Sequence, residues 1–135
     1  MPNTQAIGVA YSDPEFTTCY ASQELGYSAA AQGTVTQATD KSTGVTLNKS
    51  AGRITMNNAA LAGATAVSFT LTNSLISAND TIIVCVSGGG TAAAYTTYIS
   101  STTAGSAVVT LRNLTASTSL SEAVVLNFAI IHGAS

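Results

Sequence analysis

The stretch Glu122–Ile131, EAVVLNFAII, decides the fold. Val124, Leu126, Phe128 and Ile130 recur at the period of two that an extended strand requires. The alternate positions, Val125, Asn127, Ala129 and Ile131, are also mostly apolar. A strand apolar on both sides belongs in the middle of a sheet, with protein over either face. That cover is expected from a second sheet or from another copy of the chain.

Working outward from this strand, the same period returns in Ala66–Asn73, with Val67, Phe69 and Leu71 expected inward and Ser68, Thr70 and Thr72 outward. Gly105–Asn113 places Val109 and Leu111 opposite Arg112, and Ala94–Ser100 sets Tyr95, Thr97 and Ile99 against Thr96 and Tyr98. TIIVCV, within Asp80–Ser87, is a continuous apolar run and reads as a fully buried strand, with Cys85 a small core residue. Shorter strands are expected at Val35 within GTVTQAT, at 45–47 and at 54–56, set apart by the turns DKSTG (40–44) and NKSAG (48–52). AALAGA (59–64) reads as a short helical turn, and Gly88–Gly90 as a connecting loop. The sum is about eight short strands at spacings of about 10–15 residues, which predicts an all-β chain, an antiparallel β-sandwich of jelly-roll type. Proline is absent after Pro14, as strands that need every ladder donor require.

Composition narrows the function classes. Charged residues are 7% of the 135, against about 25% in an average soluble domain. The hydrophobic share is 46%, too high for a disordered chain. A neutral Ser/Thr surface suits a chain packed in an assembly, so a homo-oligomer is expected. Lys41, Lys49, Arg53 and Arg112 are scattered and the net charge is −2, which argues against nucleic-acid binding. No run reaches the roughly 18 apolar residues of a membrane helix, and the N-terminus lacks the pattern of a signal peptide. Cytosolic synthesis with free Cys19 and Cys85 is therefore expected.

Residues 1–32 differ from 33–135, the expected β-sandwich domain. They hold both prolines, the acids Asp13, Glu15 and Glu24, and the aromatics Tyr11, Phe16, Tyr20 and Tyr27. No clean periodicity runs through them, so an extended N-terminal arm is expected. Tyr11, Phe16, Tyr20 and Tyr27 are its candidate anchors on a partner, either a neighbouring subunit or another protein. The alternative is that the arm folds back on its own domain.

No catalytic constellation emerges. His132 is the sole histidine, with no nucleophile elbow beside it, and reads as a strand-end residue. Gly88–Gly90 lacks the Lys-Ser/Thr of a phosphate loop. The acids form no pair with glycosidase or metal-site spacing, so no catalytic, cofactor or metal residues are expected and the chain reads as a non-enzyme. Asn48, Asn79 and Asn113 match the glycosylation sequon, which carries no weight without a secretory signal.

The tract Gly33–Asn73 (GTVTQATDKSTGVTLNKSAGRITMNNAALAGATAVSFTLTN), with SLSEAVVLNFAIIHGAS at 119–135, resembles a module of tailed-bacteriophage virion proteins. The module's recurring phrases read TQATSKSTGVTLN, GxITMNxAALAAG, VxFTxTN and SLSEAxxLNFAxI. Asp40 departs from the usual serine, and AGATAV from AAGAxV. The resemblance implies a trimeric virion structural protein without cofactor. Its leading form is a capsid decoration (cement) protein on the head surface, with the major capsid protein as partner. The alternative is a receptor-recognition module at a tail- or head-fibre tip, held by fibre or tail proteins. There, polar loops with Tyr95 and Tyr98 would meet host glycan.

Overall fold

A computed structural model of the chain describes residues 16–133. After a 3-10 turn at Ala29–Ala31 come eight strands: β1 (Gln32–Thr36), β2 (Val45–Thr46), β3 (Ala51–Thr55), β4 (Ala66–Thr72), β5 (Thr81–Gly88), β6 (Tyr95–Thr103), β7 (Ser106–Asn113) and β8 (Val125–Ile131). They form two four-stranded sheets, ordered β1-β3-β8-β5 and β2-β4-β7-β6. Successive strands alternate between the sheets, except for the hairpin β6–β7. That hairpin turns at Gly105, whose φ of +82° suits a residue without a side chain.

The fold is all-β, as the alternation requires, but pairing is not purely antiparallel. β1 runs parallel to β3, and β2 parallel to β4, so both sheets are mixed. The physical reason is connectivity: each parallel pair is joined through a strand of the other sheet, which returns the chain in its original direction.

β8 lies inside its sheet, between β3 and β5, as expected. Its inward residues Leu126, Phe128 and Ile130, with Val124 just before it, are buried. They meet Ile54 of β3, Phe69 and Leu71 of β4, and Val109 and Leu111 of β7 in one core. Two glycines make room for this contact. Gly33 and Gly52 are paired across β1 and β3, and a Cβ on Gly52 would stand 2.7 Å from Leu47 Cδ2 and 3.0 Å from Phe128 Cε1.

Three expectations fail here. β5 is not fully buried: it is an edge strand, and Ile83, Cys85 and Val86 are exposed. An apolar run cannot report whether a layer exists to cover its second face. Cys85 is accordingly a surface thiol rather than a core residue. Ala59–Ala64 forms no helical turn; Leu61 bridges Leu120 with reciprocal backbone hydrogen bonds of 2.9 and 3.0 Å. Gly63 permits that approach, since a Cβ there would lie 2.7 Å from the 117–118 backbone. Ala51 and Gly52, expected in a turn, belong to β3.

Candidate functional site

The features left open by the fold lie on the outer face of the β1-β3-β8-β5 sheet. Strand register fixes which residues share it. One row across the sheet is Gln32–Ala51–Ala129–Ile83, and the next is Thr34–Arg53–Asn127–Cys85. Ile131, 55% exposed, lies diagonal to Ile83, 52% exposed. Small residues make the floor and isoleucines one flank. The sole charge in these rows is Arg53, whose Nε donates to Asn127 Oδ1 at 3.3 Å. Among the described residues no carboxylate pairs with it; the one ion pair found there is His132–Asp80. A shallow groove of about 550 Å³ runs over this floor, lined by Tyr27, Gln32, Thr34, Ala51, Arg53, Asn127 and their neighbours.

The arm residues fall into two groups. Tyr27 stands at the rim of the groove, its phenol donating to the carbonyl of Ile130, while Gln32 Nε2 donates to the Tyr27 carbonyl at 3.1 Å. Phe16 and Tyr20 are free of such seats, 68% and 92% exposed, and Leu25 is exposed alongside them. Tyr11 lies outside the described residues. The structural boundary thus falls near Gly26, because Tyr27 is tied to β8 and Gln32 is already in β1.

Polar clusters elsewhere hold loops rather than present chemistry. Asp80, whose side chain is inaccessible, accepts from the backbone N–H of Ser77 (2.8 Å), the Ser77 hydroxyl (2.7 Å) and the Gly133 N–H (3.0 Å), with His132 Nδ1 at 3.0 Å. Those bonds, the Ser77 N–H foremost, bring its carboxyl down to about 2. The serine hydroxyl donates to the carboxylate and not to the imidazole, so it has no base to activate it. His132 is a strand-end residue, clasping the end of β8 to the β4–β5 connection.

At the opposite end, Glu122 accepts from the Thr91 N–H (3.0 Å), the Thr91 hydroxyl (2.8 Å) and the Tyr95 phenol (2.8 Å), the first foremost in lowering its pKa. Burial, then this carboxylate, pushes the Tyr95 phenol up. Lys41 is buried nearby and donates to the carbonyls of Asn57 and, at 2.5 Å, Glu122; desolvation lowers its pKa against the pull of Glu122. Tyr95 is therefore committed to the interior, whereas Tyr98 points outward from the same strand and is half exposed. The two do not form the shared aromatic platform a glycan would stack on.

Sequence reasoning passed over Asn73 and Asn113, both fully buried at strand ends. Asn73 Nδ2 donates to Lys49 O at 2.7 Å, and Asn113 Nδ2 to Leu61 O and Thr118 O, both at 2.9 Å. Asn113, one of the sequon matches, is sealed from any glycosyl transfer in the folded chain. The legible signal was its position, an amide directly after an apolar strand and before a Ser/Thr loop. Among the described residues no His, Cys, Asp or Glu cluster is arranged to hold a metal, and both described cysteines are free. No family profile, curated protein or solved structure matches the chain, so the likeness to phage modules rests on the quoted phrases alone.

Proposed function

We propose that this chain is a non-enzymatic virion structural protein of a tailed bacteriophage, a homotrimeric decoration protein seated on the head lattice. Its two sheets read as a jelly-roll-like sandwich, since the chain passes from sheet to sheet at almost every connection. The observation that carries the reading is the pairing of a nearly chargeless body with unpartnered contact surfaces: the aromatic arm, and the sheet face bearing Ile83 and Ile131. Such surfaces are disfavoured in water and favour a chain held by neighbours. Many small contacts between neighbouring capsomers would stabilise the assembled shell, because a ligand that binds only the assembled form favours it by mass action.

The test is copy number per virion, measured against the major capsid protein by quantitative mass spectrometry. A number comparable to that of the capsid protein supports lattice decoration. A few trimers per particle overturns it and favours a fibre or tail location with a receptor-binding role. Deleting residues 1–25, which spares Tyr27 and β1, should abolish attachment and leave the β-domain folded; normal incorporation of the truncated chain would remove the arm from the attachment mechanism.

A further inference from the structure

The chain carries two exposed surfaces that are complementary in chemistry and are not joined to each other within one copy. The first is the segment Phe16–Leu25, in which Phe16, Tyr20 and Leu25 are exposed. The same N-terminal region holds Asp13, Glu15 and Glu24, half of the chain's six acids. The second is the groove across β1, β3 and β8, with an alanine floor, a tyrosine wall and Arg53 held upright by Asn127. Its guanidinium spends Nε on Asn127 and leaves its outer N–H groups facing solvent. An exposed aromatic segment that carries the carboxylate of Glu24 fits a small-residue floor beside a guanidinium with no carboxylate partner among the described residues.

We propose that the segment Phe16–Leu25 of one copy lies across the outer face of the β1-β3-β8-β5 sheet of a neighbouring copy, its aromatics on the Ala51–Ala129 floor and Glu24 toward Arg53. The proposal rests on the homo-oligomer reading and specifies which surface meets which. Geometry favours a neighbour over the chain's own groove. Tyr27 is fixed at the rim by its bond to Ile130, and residues 16–25 are exposed and line no part of the groove. Ten extended residues reach about 33 Å, while four strands span only about 15 Å, so one segment can cross the whole face. Arm and groove are different surfaces, so in the trimer of the proposed function the contact would run head-to-tail around the ring.

The two native cysteines supply the test. Cys19 is exposed on the arm, and Cys85 is exposed on the same face as Arg53, about 10 Å away across two strand spacings. Chains carrying Cys19→Ser and chains carrying Cys85→Ser are co-expressed and treated with a short bismaleimide. A cross-linked dimer joining Cys19 of one chain to Cys85 of the other, confirmed by peptide mass spectrometry, is the expected result. Arg53→Glu should lower its yield at least several-fold, and Arg112→Glu, on the other sheet, should not. Should Arg53→Glu fail to fold, Arg53→Gln carries the same readout. Light scattering on the untreated protein separates the two readings. A trimer without the Cys19–Cys85 dimer overturns the arm exchange and leaves the oligomer standing. A monomer overturns both. Cross-linking of wild-type protein only within a chain also overturns the exchange.

Discussion

The outer faces of the two sheets are built from the same kind of strand and differ in how their side chains are satisfied. On the β2-β4-β7-β6 sheet the hydroxyls satisfy one another. Ser68 Oγ lies 2.7 Å from Thr110 Oγ1, Thr110 also meets the Ser100 hydroxyl, and Thr110 is nearly buried by its neighbours. That face is mostly polar, with Tyr98 and Arg112 left exposed on it. On the β1-β3-β8-β5 sheet the corresponding rows are Ala51, Ala129, Ile83 and Ile131 around a single Arg53. Cross-strand pairs there leave apolar area in the open beside one charge that has no carboxylate partner among the described residues. One face ties its hydroxyls to one another; the other leaves isoleucines in the open.

The comparison breaks most strongly along β8, whose two sides belong to the two environments. Phe128→Ala on the inner side should cost about 3–5 kcal/mol, because it removes a ring packed between the sheets and leaves a cavity. Urea unfolding would show it as a large fall in midpoint with an unchanged slope. A loss under half of that range would mean the core collapses to fill the space.

A smaller effect tests the hydroxyl-tied face. Thr110→Val keeps the side-chain shape and deletes the hydroxyl that bonds Ser68 and Ser100, so about 1 kcal/mol should be lost. No change would mean that Ser68 and Ser100 satisfy each other or water without it.

Asp80→Asn has its distinctive signature on the acid side. The folded carboxyl titrates at about 2, whereas in an unfolded chain an aspartate titrates at about 4. The unfolded state therefore takes up the proton first as pH falls, and Asp80's stabilisation is complete above about 4 and lost on the way down through about 2. Denaturant midpoints from pH 7 downward should fall less steeply in the Asn variant. Asp40 and Glu122, also held low by hydrogen bonds, keep part of the slope. An identical slope in the two proteins would remove Asp80 from the acid response.

The smallest expected change is Ile131→Ser on the open face. At dilutions where copies are apart, stability should move by no more than about 0.5 kcal/mol, since the side chain already meets water. At concentrations where copies associate, the same substitution should cost more, because binding adds to apparent stability. Equal effects at both concentrations would detach Ile131 from any interface.

Much of this was legible in the chain itself. The period of two fixed which side of β4, β7 and β8 is core, because a pleated strand leaves Val109, Leu111, Leu126 and Phe128 no other side to share. The shortage of charge and the distinct N-terminal quarter were plain in composition. Residue order alone also marked Tyr11, Phe16, Tyr20 and Tyr27 as one set, and the structure separates Tyr27, bonded to β8, from Phe16 and Tyr20, which are not. That separation depends on a contact across 103 residues, which local pattern does not encode.

The sequence by itself determined an all-β chain with a central closing strand and a nearly neutral surface, since these follow from side-chain period and composition. Only the tertiary structure decided that β5 is an edge, that Cys85 is a surface thiol, that two strand pairs run parallel, and that Arg53 faces a groove without a carboxylate. Each of those depends on which strands become neighbours, and neighbours are chosen by the packing of the whole core rather than by any stretch of it.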